Sequence, residues 1–300
     1  MENNTMIFQK NFQSGDIREE NHISCQAYYS TLDMPCPLHS HSYYEISYIF
    51  KGERMQQCNG KWYNAKDTSL FFVPPLYIHG YSNITVTEDI VIQFTADFLK
   101  NISPALTEGK TLDISWDSPY IEIYVDYMEE LRDLSISKNT IKQTAGEDIN
   151  KQKLFQIELR INSLVTKLLS RLLECGYIHF KTSSFDNHDC RMFDAIINDI
   201  LLHPDDMPDM DTAARKSGLS YYTFSRHFKA ATGFNYSEYC NMLRMQHAEN
   251  LLINTNMPVS EVANAVGITT FSYFSRMFKD MNGMSPSAYR QHNKDIPLYK

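Results

Sequence analysis

The chain repeats itself near its C-terminal end, and an internal repeat constrains architecture more tightly than any local propensity. Ala214 to Tyr239 reads ARKSGLSYYTFSRHFKAATGFNYSEY, and Ala263 to Tyr289 reads ANAVGITTFSYFSRMFKDMNGMSPSAY. Both follow A-x3-G, then five or six residues, then F-S-R-x-F-K-x3-G-x3-S-x-Y, the second copy carrying one extra residue before its Phe274. Each copy spells a helix, a tight turn and a second helix. Ala214 and Ala263 are small enough to let another helix approach. Gly218 and Gly267 can take the left-handed conformation that ends a helix. Ser220 and Thr269 are then placed to cap the helix that follows. On that helix Phe224, Phe228 and Ala231, and in the second copy Phe274, Phe278 and Met281, form the expected core stripe.

The opposite faces are unusual. In the first copy Tyr222, Ser225, Arg226 and Lys229 share a side, with Tyr221 at the helix start. In the second, Ser272, Ser275, Arg276 and Lys279 do, with Thr270 and Phe271 at the start. An ordinary helical bundle with a polar surface mixes acids and bases in i,i+4 pairs. These faces hold hydroxyls, aromatics and only positive charge, a set suited to base edges and phosphates in a DNA major groove. Ser237 to Ile253 lies between the copies with helical spacing and no Gly or Pro, and Pro258 opens the second copy. A strut of that length could hold two reading helices in successive grooves.

Net charge at first argues against a nucleic-acid partner, since the whole chain carries −8. The excess is confined to the first part: residues 1–190 hold 17 Lys and Arg against 25 Asp and Glu, and residues 191–300 hold 11 of each. The placement of the positive charges therefore carries more information than their number. Three hundred residues suit two domains. The six cysteines show no CxxC pairing, which reads as reduced thiols of a cytoplasmic protein and not as a disulfide or zinc framework. No apolar run is long enough for a membrane span, and the polar N-terminus does not read as a signal peptide.

The repeat, the Arg244, Ala248, Leu251 and Leu252 spacing of the connecting helix and the G-x-S-P-S-x-Y-R ending at Gly283–Arg290 resemble the DNA-binding domain of the AraC/XylS family of transcriptional regulators. The resemblance covers residues 189–292. It implies that helices starting near Tyr221 and Thr270 enter the major groove of double-stranded DNA, with Tyr222, Ser225, Arg226, Phe271, Ser272 and Arg276 toward the bases. It also implies RNA polymerase as a partner. One departure is visible: the first copy has Phe234-Asn235-Tyr236-Ser237 where the second has a proline, Pro286, which is expected to loosen the first exit turn.

Residues 20–100 alternate and are rich in Tyr, Phe, Ile and Val, with turn signals at Lys51-Gly52, Asn59-Gly60 and Pro74-Pro75. Such spacing predicts a small barrel or sandwich. Within it stand His39, His41 and Glu45, which would share one face of a strand, and later His79 and Asn83. These resemble the two motifs of the cupin barrel, with Asp67 and Leu76 where the second motif has glycines. In metal-binding cupins the three histidines and the glutamate ligate a divalent metal. The expectation here is no cofactor: His39, His41, Glu45 and His79 serve as pocket or core polar groups, with metal ligation as the lesser reading. Tyr43, Tyr48, Trp62 and Tyr77 join them as candidate lining of an effector pocket for a sugar or other metabolite.

Residues 118–135 read as a helix capped by Ser118, and 136–150 as a loop. Residues 151–175 are strongly helical, with an apolar stripe from Leu154 to Leu172 wider than one packing face needs; by resemblance this is the element of a homodimer, the alternative being a wholly intramolecular role. The expected organisation is a disordered 1–20, a sensor and dimerisation domain at 21–175, a linker at 176–188, the DNA-binding domain at 189–292 and a tail at 293–300. The fold class is α+β: a cupin-like β-barrel with a helical segment, then an all-α domain of two helix-turn-helix units joined by a helix. The leading functional reading is a non-enzymatic regulator controlled by a small molecule in the barrel. The alternatives are a metal-dependent cupin enzyme carrying a DNA-binding tail, and a constitutive DNA-binding protein with an empty barrel.

Overall fold

In a computed structural model of the chain, residues 25–32, 36–104, 108–115, 119–144, 147–182, 187–203 and 206–292 are described. The expectations for 1–20, for the Ser118 cap and for the tail 293–300 lie outside them.

The N-terminal part is two antiparallel sheets facing each other. One contains β1 (Cys25–Leu32), β8 (Thr87–Phe94), β3 (Tyr44–Lys51), β6 (Ser69–Val73) and β10 (Tyr120–Glu122), in that spatial order. The other contains β2 (Cys36–His39), β7 (His79–Asn83), β4 (Arg54–Cys58) and β5 (Lys61–Ala65). Strand alternation sorts the side chains of β3. Tyr44, Ile46 and Tyr48 enter the main apolar core on its outer side. Glu45 and Ser47 point between the sheets, Ser47 accepting from Arg54 Nη2 at 2.5 Å. The turn signals are used as read: Asn59 and Gly60 both take positive φ, 45° and 80°, between β4 and β5. Gly52, at φ 105°, passes so near β8 that a Cβ would stand 2.4 Å from the Val86 carbonyl.

The outer face of the first sheet is covered by α1 (Ala96–Ile102), α2 (Met128–Thr144) and α3 (Glu147–Glu174). Here several expectations fail. The helix expected from 118 begins only at Met128, because Tyr120–Glu122 pairs with Phe71–Ser69 of β6 and Tyr120 stacks on Phe71 at 5.2 Å. A distant strand edge outweighs a local capping signal. The expected loop at 136–150 is mostly helix, α2 running on to Thr144 and α3 starting at Glu147. Ser137, Asn139 and Thr140 are exposed, while Lys138 is buried and pairs with Glu158 of α3 at 3.1 Å. The expected linker contains β11 (Ile178–Thr182), paired with β9 (Lys110–Ile114), so the chain remains part of the first domain until Thr182. Most of the α3 stripe is spent within the molecule: Ile157, Ile161, Val165, Leu168, Leu169 and Leu172 are buried, whereas Phe155 and Leu159 stay 60% and 52% exposed.

The C-terminal part is helical: α4 (Asn187–Leu202), α5 (Met210–Lys216), α6 (Tyr221–Thr232), α7 (Tyr236–Asn254), α8 (Val259–Ala265), α9 (Phe271–Asn282) and α10 (Pro286–His292). The connecting helix α7 spans 19 residues, about 28 Å. Among the described residues no helix is long and apolar enough to cross a membrane.

Candidate nucleic-acid interface and buried histidine cluster

Both copies of the repeat are helix-turn-helix units. In the first, Asp209 accepts from the Thr212 N–H at 2.8 Å and starts α5. Ala214 is buried, Gly218 takes φ 67°, and the Ser220 hydroxyl accepts from the Thr223 N–H at 3.3 Å to start α6. In the second, Ala263 is buried and Gly267 takes φ 72°, but α9 starts one residue later than read. Its cap position is Thr270, not Thr269, and that side chain makes no capping hydrogen bond. Phe224, Phe228, Ala231, Phe274 and Phe278 are buried as expected. Met281 is not: it is 46% exposed, beyond the reach of the second unit's small core.

The opposite faces are open. Tyr221, Tyr222, Arg226 and Lys229 of α6 are exposed, Tyr222 to 84%, and Ser225 is half-buried. Thr270, Phe271, Ser272, Arg276 and Lys279 are exposed along α9, with Ser275 half-buried. Sequence reasoning missed Tyr273, which is 42% exposed with the Arg276 guanidinium 5.9 Å from its ring. Its alignment with Thr223, a plain polar residue in the first copy, hid it. Large aromatics left in water on both second helices are costly unless they meet a partner.

The missing proline does not loosen the first exit turn. The Asn235 N–H donates to the Glu238 carboxylate at 2.9 Å, and the buried Tyr236 donates its hydroxyl to the Pro208 carbonyl at 2.8 Å. Side-chain bonds there replace the rigidity of a ring.

In the barrel, one side-chain atom from each of His39, His41 and His79 lies within 4.8 Å of the others. The strand is broken at residues 40–43, so the convergence comes from a turn and not from strand parity. Glu45 stands beside two of the three, with His41 Nε2 and His79 Nε2 each 3.4 Å from a different one of its oxygens. His41 and His79 are 1% and 2% exposed. Their Nδ1 atoms pair with the carbonyls of Tyr43 and Tyr77 at 2.9 and 3.0 Å, which fixes the proton on Nδ1. Among the described residues neither Nε2 has a hydrogen-bond partner. Burial pushes the His41 imidazolium down toward neutrality against the pull of Glu45. For Glu45, burial works to raise the carboxyl pKa, but the His41 and His79 imidazoles beside it outweigh this and hold the group well below the usual carboxylate range.

Tyr43 stacks on His41 at 3.9 Å and belongs to this cluster. The other expected lining residues do not. Tyr48 lies in the outer core, three residues from Glu45 and so on the opposite strand face, a parity that was readable. Trp62 reaches the Glu249 carboxylate of α7. Tyr77 contributes its carbonyl while its hydroxyl meets Asp113 at 3.3 Å. The positive φ expected of motif glycines falls on Leu76 (67°) and Thr68 (68°); Thr68, not Asp67, occupies the glycine-like position. Asp67 instead accepts from the Gly52 N–H at 2.7 Å. Deeper between the sheets lies a network the sequence did not reveal: buried Arg54 donates to Asp89 at 2.7 Å, Ser30 donates to Asp89 at 2.6 Å, and Tyr81 lies under the guanidinium.

The donor set fits a metal ion by its own chemistry. Carbonyl-anchored imidazoles with inward lone pairs are the usual arrangement of metal-ligating histidines. His39, His41, His79 and Glu45 would hold it, and it would supply the positive charge that these facing acceptors lack.

A two-sheet barrel with a buried polar site, followed by paired helix-turn-helix units, defines a two-domain DNA-binding regulator. A model of the AraC-like ligand binding domain matches residues 26–121 and one of a helix-turn-helix domain matches residues 213–292, together more than half of the chain. The uncharacterized HTH-type transcriptional regulator YfiF of Bacillus subtilis (strain 168) is 23% identical over 275 residues, covering 90% of this chain and 82% of that protein. The HTH-type transcriptional activator RhaR of Enterobacter sp. (strain 638) is 21% identical, covering 85% of this chain and 87% of that protein. Among solved structures, ToxT of Vibrio cholerae O395 is 11% identical with a TM-score of 0.43, over 90% of this chain and 99% of that one. The DNA-binding domain of AdpA in complex with a target DNA is 28% identical with a TM-score of 0.33, over 33% of this chain and 90% of that one. The chain belongs to the AraC/XylS family of transcriptional regulators, with an N-terminal ligand-binding domain and a DNA-binding helix-turn-helix domain.

Proposed function

We propose that this regulator reads promoter DNA in the cytoplasm through α6 and α9, is switched by an effector bound in its N-terminal domain, and performs no catalysis. The observation that carries the DNA reading is the exposure of the same set of side chains on both second helices. Arg226 and Arg276 would read base edges with Tyr222, Ser225, Phe271, Ser272 and Tyr273 beside them, and Lys229 and Lys279 would meet phosphates. The enzyme alternative is weakened by the burial of His41 and His79, with Tyr43 stacked on His41, since a catalytic metal needs an open position that substrate can reach. The exposed pair Phe155 and Leu159, four residues apart on α3, supports a second copy as partner, for which sedimentation of the full chain is the check. RNA polymerase contact follows from the family alone.

Selection of duplexes from a random pool by the full chain, followed by footprinting, tests the reading. Arg226→Ala and Arg276→Ala should each weaken specific binding by about 1–3 kcal/mol and relax discrimination at separate bases. Footprints identical to the parent chain would show that α6 and α9 do not face the bases.

A further inference from the structure

A cleft of about 770 Å³ opens beside the helices that cover the first sheet. Its lining comes from two elements far apart in the chain. One is the turn 124–127 that leads from β10 into α2, anchored by the buried Val125, whose carbonyl accepts the Met128 N–H at 3.1 Å. The other is the C-terminal part of α3, where Ser163, Lys167, Arg171 and Glu174 recur every three or four residues and so share one side of the helix. A volume of this size is that of a small-molecule pocket. Tyr124, 74% exposed, is part of the lining, a large ring left in water.

The unused groups of this cleft are donors. The Tyr127 hydroxyl is shut off from water and has no hydrogen-bond partner among the described residues. Lys167 holds its ammonium 4.3 Å from the centre of the Tyr127 ring, and among the described residues neither it nor Arg171 has a carboxylate partner. The acids are already engaged: Glu174 accepts from the Ser170 hydroxyl at 2.9 Å, and Asp126 accepts the Tyr127 N–H at 3.0 Å. Burial, with the Asp126 carboxylate beside it, pushes the Tyr127 phenol up against the pull of Arg171, so the hydroxyl keeps its proton. An ammonium, a guanidinium one helical turn further on and a phenol O–H are thus available to one acceptor. A phosphoryl group offers three terminal oxygens to three such donors, where a carboxylate offers two.

We propose that this cleft binds a small ring-bearing phosphate monoester: Lys167 and Arg171 pair with the phosphoryl oxygens, Tyr127 donates to one of them, and Tyr124 covers the ring of the ligand. Lys167 and Arg171 are exposed, so the phosphoryl group reaches the buried hydroxyl by displacing flexible side chains and no backbone. Asp126 and Glu174 stand in the same cleft and limit it to one such group, which disfavours a nucleic-acid backbone or any other polyanion. The bound ester ties α3 to the turn that starts α2. It gives the first domain a ligand position outside the space between the sheets, and the site stands whether or not the regulatory reading does.

Calorimetric titration of the full chain with phenyl phosphate and with glucose-6-phosphate tests the site. At least one of the two esters should bind at a single site and slow amide exchange at 124–131 and 163–174. Glucuronate and inorganic phosphate should bind about ten-fold more weakly than the better ester, and glucose not at all. Lys167→Gln combined with Arg171→Gln, both at exposed positions, should weaken the ester by about ten-fold or more. Tyr127→Phe should weaken it about five-fold while the melting temperature of the ligand-free chain stays level or rises, because the deleted hydroxyl bonds nothing. A merely structural tyrosine would give the opposite pattern, and a lower melting temperature in Tyr127→Phe overturns the role given to that hydroxyl. Failure of both esters to bind, or equal binding by the double variant, overturns the site. Glucuronate binding as tightly as the better ester overturns the assignment to phosphate.

Discussion

The two helix-turn-helix units descend from one pattern and differ in what surrounds them. The first shares its core with the barrel: Phe193 meets Phe224 and Phe228 edge-on at 5.6 and 5.4 Å, and Leu76 and Ile78 complete the cluster. The second is closed on itself and on α7, with Tyr289 against Phe278 at 5.3 Å and Arg290 donating to the Leu252 and Met257 carbonyls at 3.0 and 2.6 Å. One pair of equivalent residues shows the divergence best. Tyr239 bonds the barrel's Leu76, whereas Tyr289 bonds Glu249 of α7 at 3.4 Å. A repeat conserves a fold because its apolar stripe must be buried. It leaves free which neighbour receives a hydroxyl, and here one copy bonds the barrel and the other the connecting helix.

The sharpest way to break this contrast is to empty the two cores. Phe228→Ala and Phe278→Ala should each cost about 3–5 kcal/mol. By hydrogen exchange, loss of Phe228 should also loosen residues 74–79, and loss of Phe278 should open only 259–292. Identical exchange patterns would mean the units are not differently anchored.

Glu249 offers a second contrast, because it is where α7 meets both Trp62 of the barrel and Tyr289 of the second unit. Burial raises its carboxyl from 4.5 to about 7, against the opposing pull of hydrogen bonds from side chains that include Tyr289 and Trp62. A folded-state pKa above the unfolded one means that folding favours the protonated form. The stability it contributes is therefore present below pH 4.5 and is lost as pH rises through about 7. The change is on the order of 3 kcal/mol. Denaturant melts across this range should show the decline in the parent chain and a flatter profile in Glu249→Gln.

Smaller effects separate the two caps. Ser220→Ala removes a capping bond and should cost about 1 kcal/mol, while Thr270→Ala, which removes none, should change stability by a few tenths. Equal losses would contradict the difference in how α6 and α9 begin. The smallest change belongs to Lys229→Ala, which should weaken binding to all duplexes alike and lower the slope of log affinity against log salt by about one unit. A loss confined to one sequence would make Lys229 a base reader.

Much of the two helix-turn-helix units was legible in advance. Core stripe, turn glycine and exposed face are all set by residues within about four positions of one another, the reach of a helix. The barrel was less so. His39, His41, Glu45 and His79 were identified, but Tyr48 and Trp62 were assigned to the same site although they face the outer core and α7. Tyr120–Glu122 and Ile178–Thr182 were read as helix and linker because a strand is stabilised by partners that lie far away, here residues 69–71 and 110–114.

By itself the sequence determined two duplicated bihelical units, a barrel with clustered histidines and the exposed cationic faces. Periodicity and glycine placement act locally, and folding has little choice but to obey them. Only the tertiary structure decided that the histidine turn and the Pro74–His79 segment sit under the first unit, that Tyr239 and Tyr289 answer to different neighbours, and that most of the α3 stripe is buried within the chain. Those outcomes depend on which surfaces meet across separations that run from 40 residues, for Tyr289 and Glu249, to 163, for Tyr239 and Leu76, and one-dimensional spacing carries no record of that.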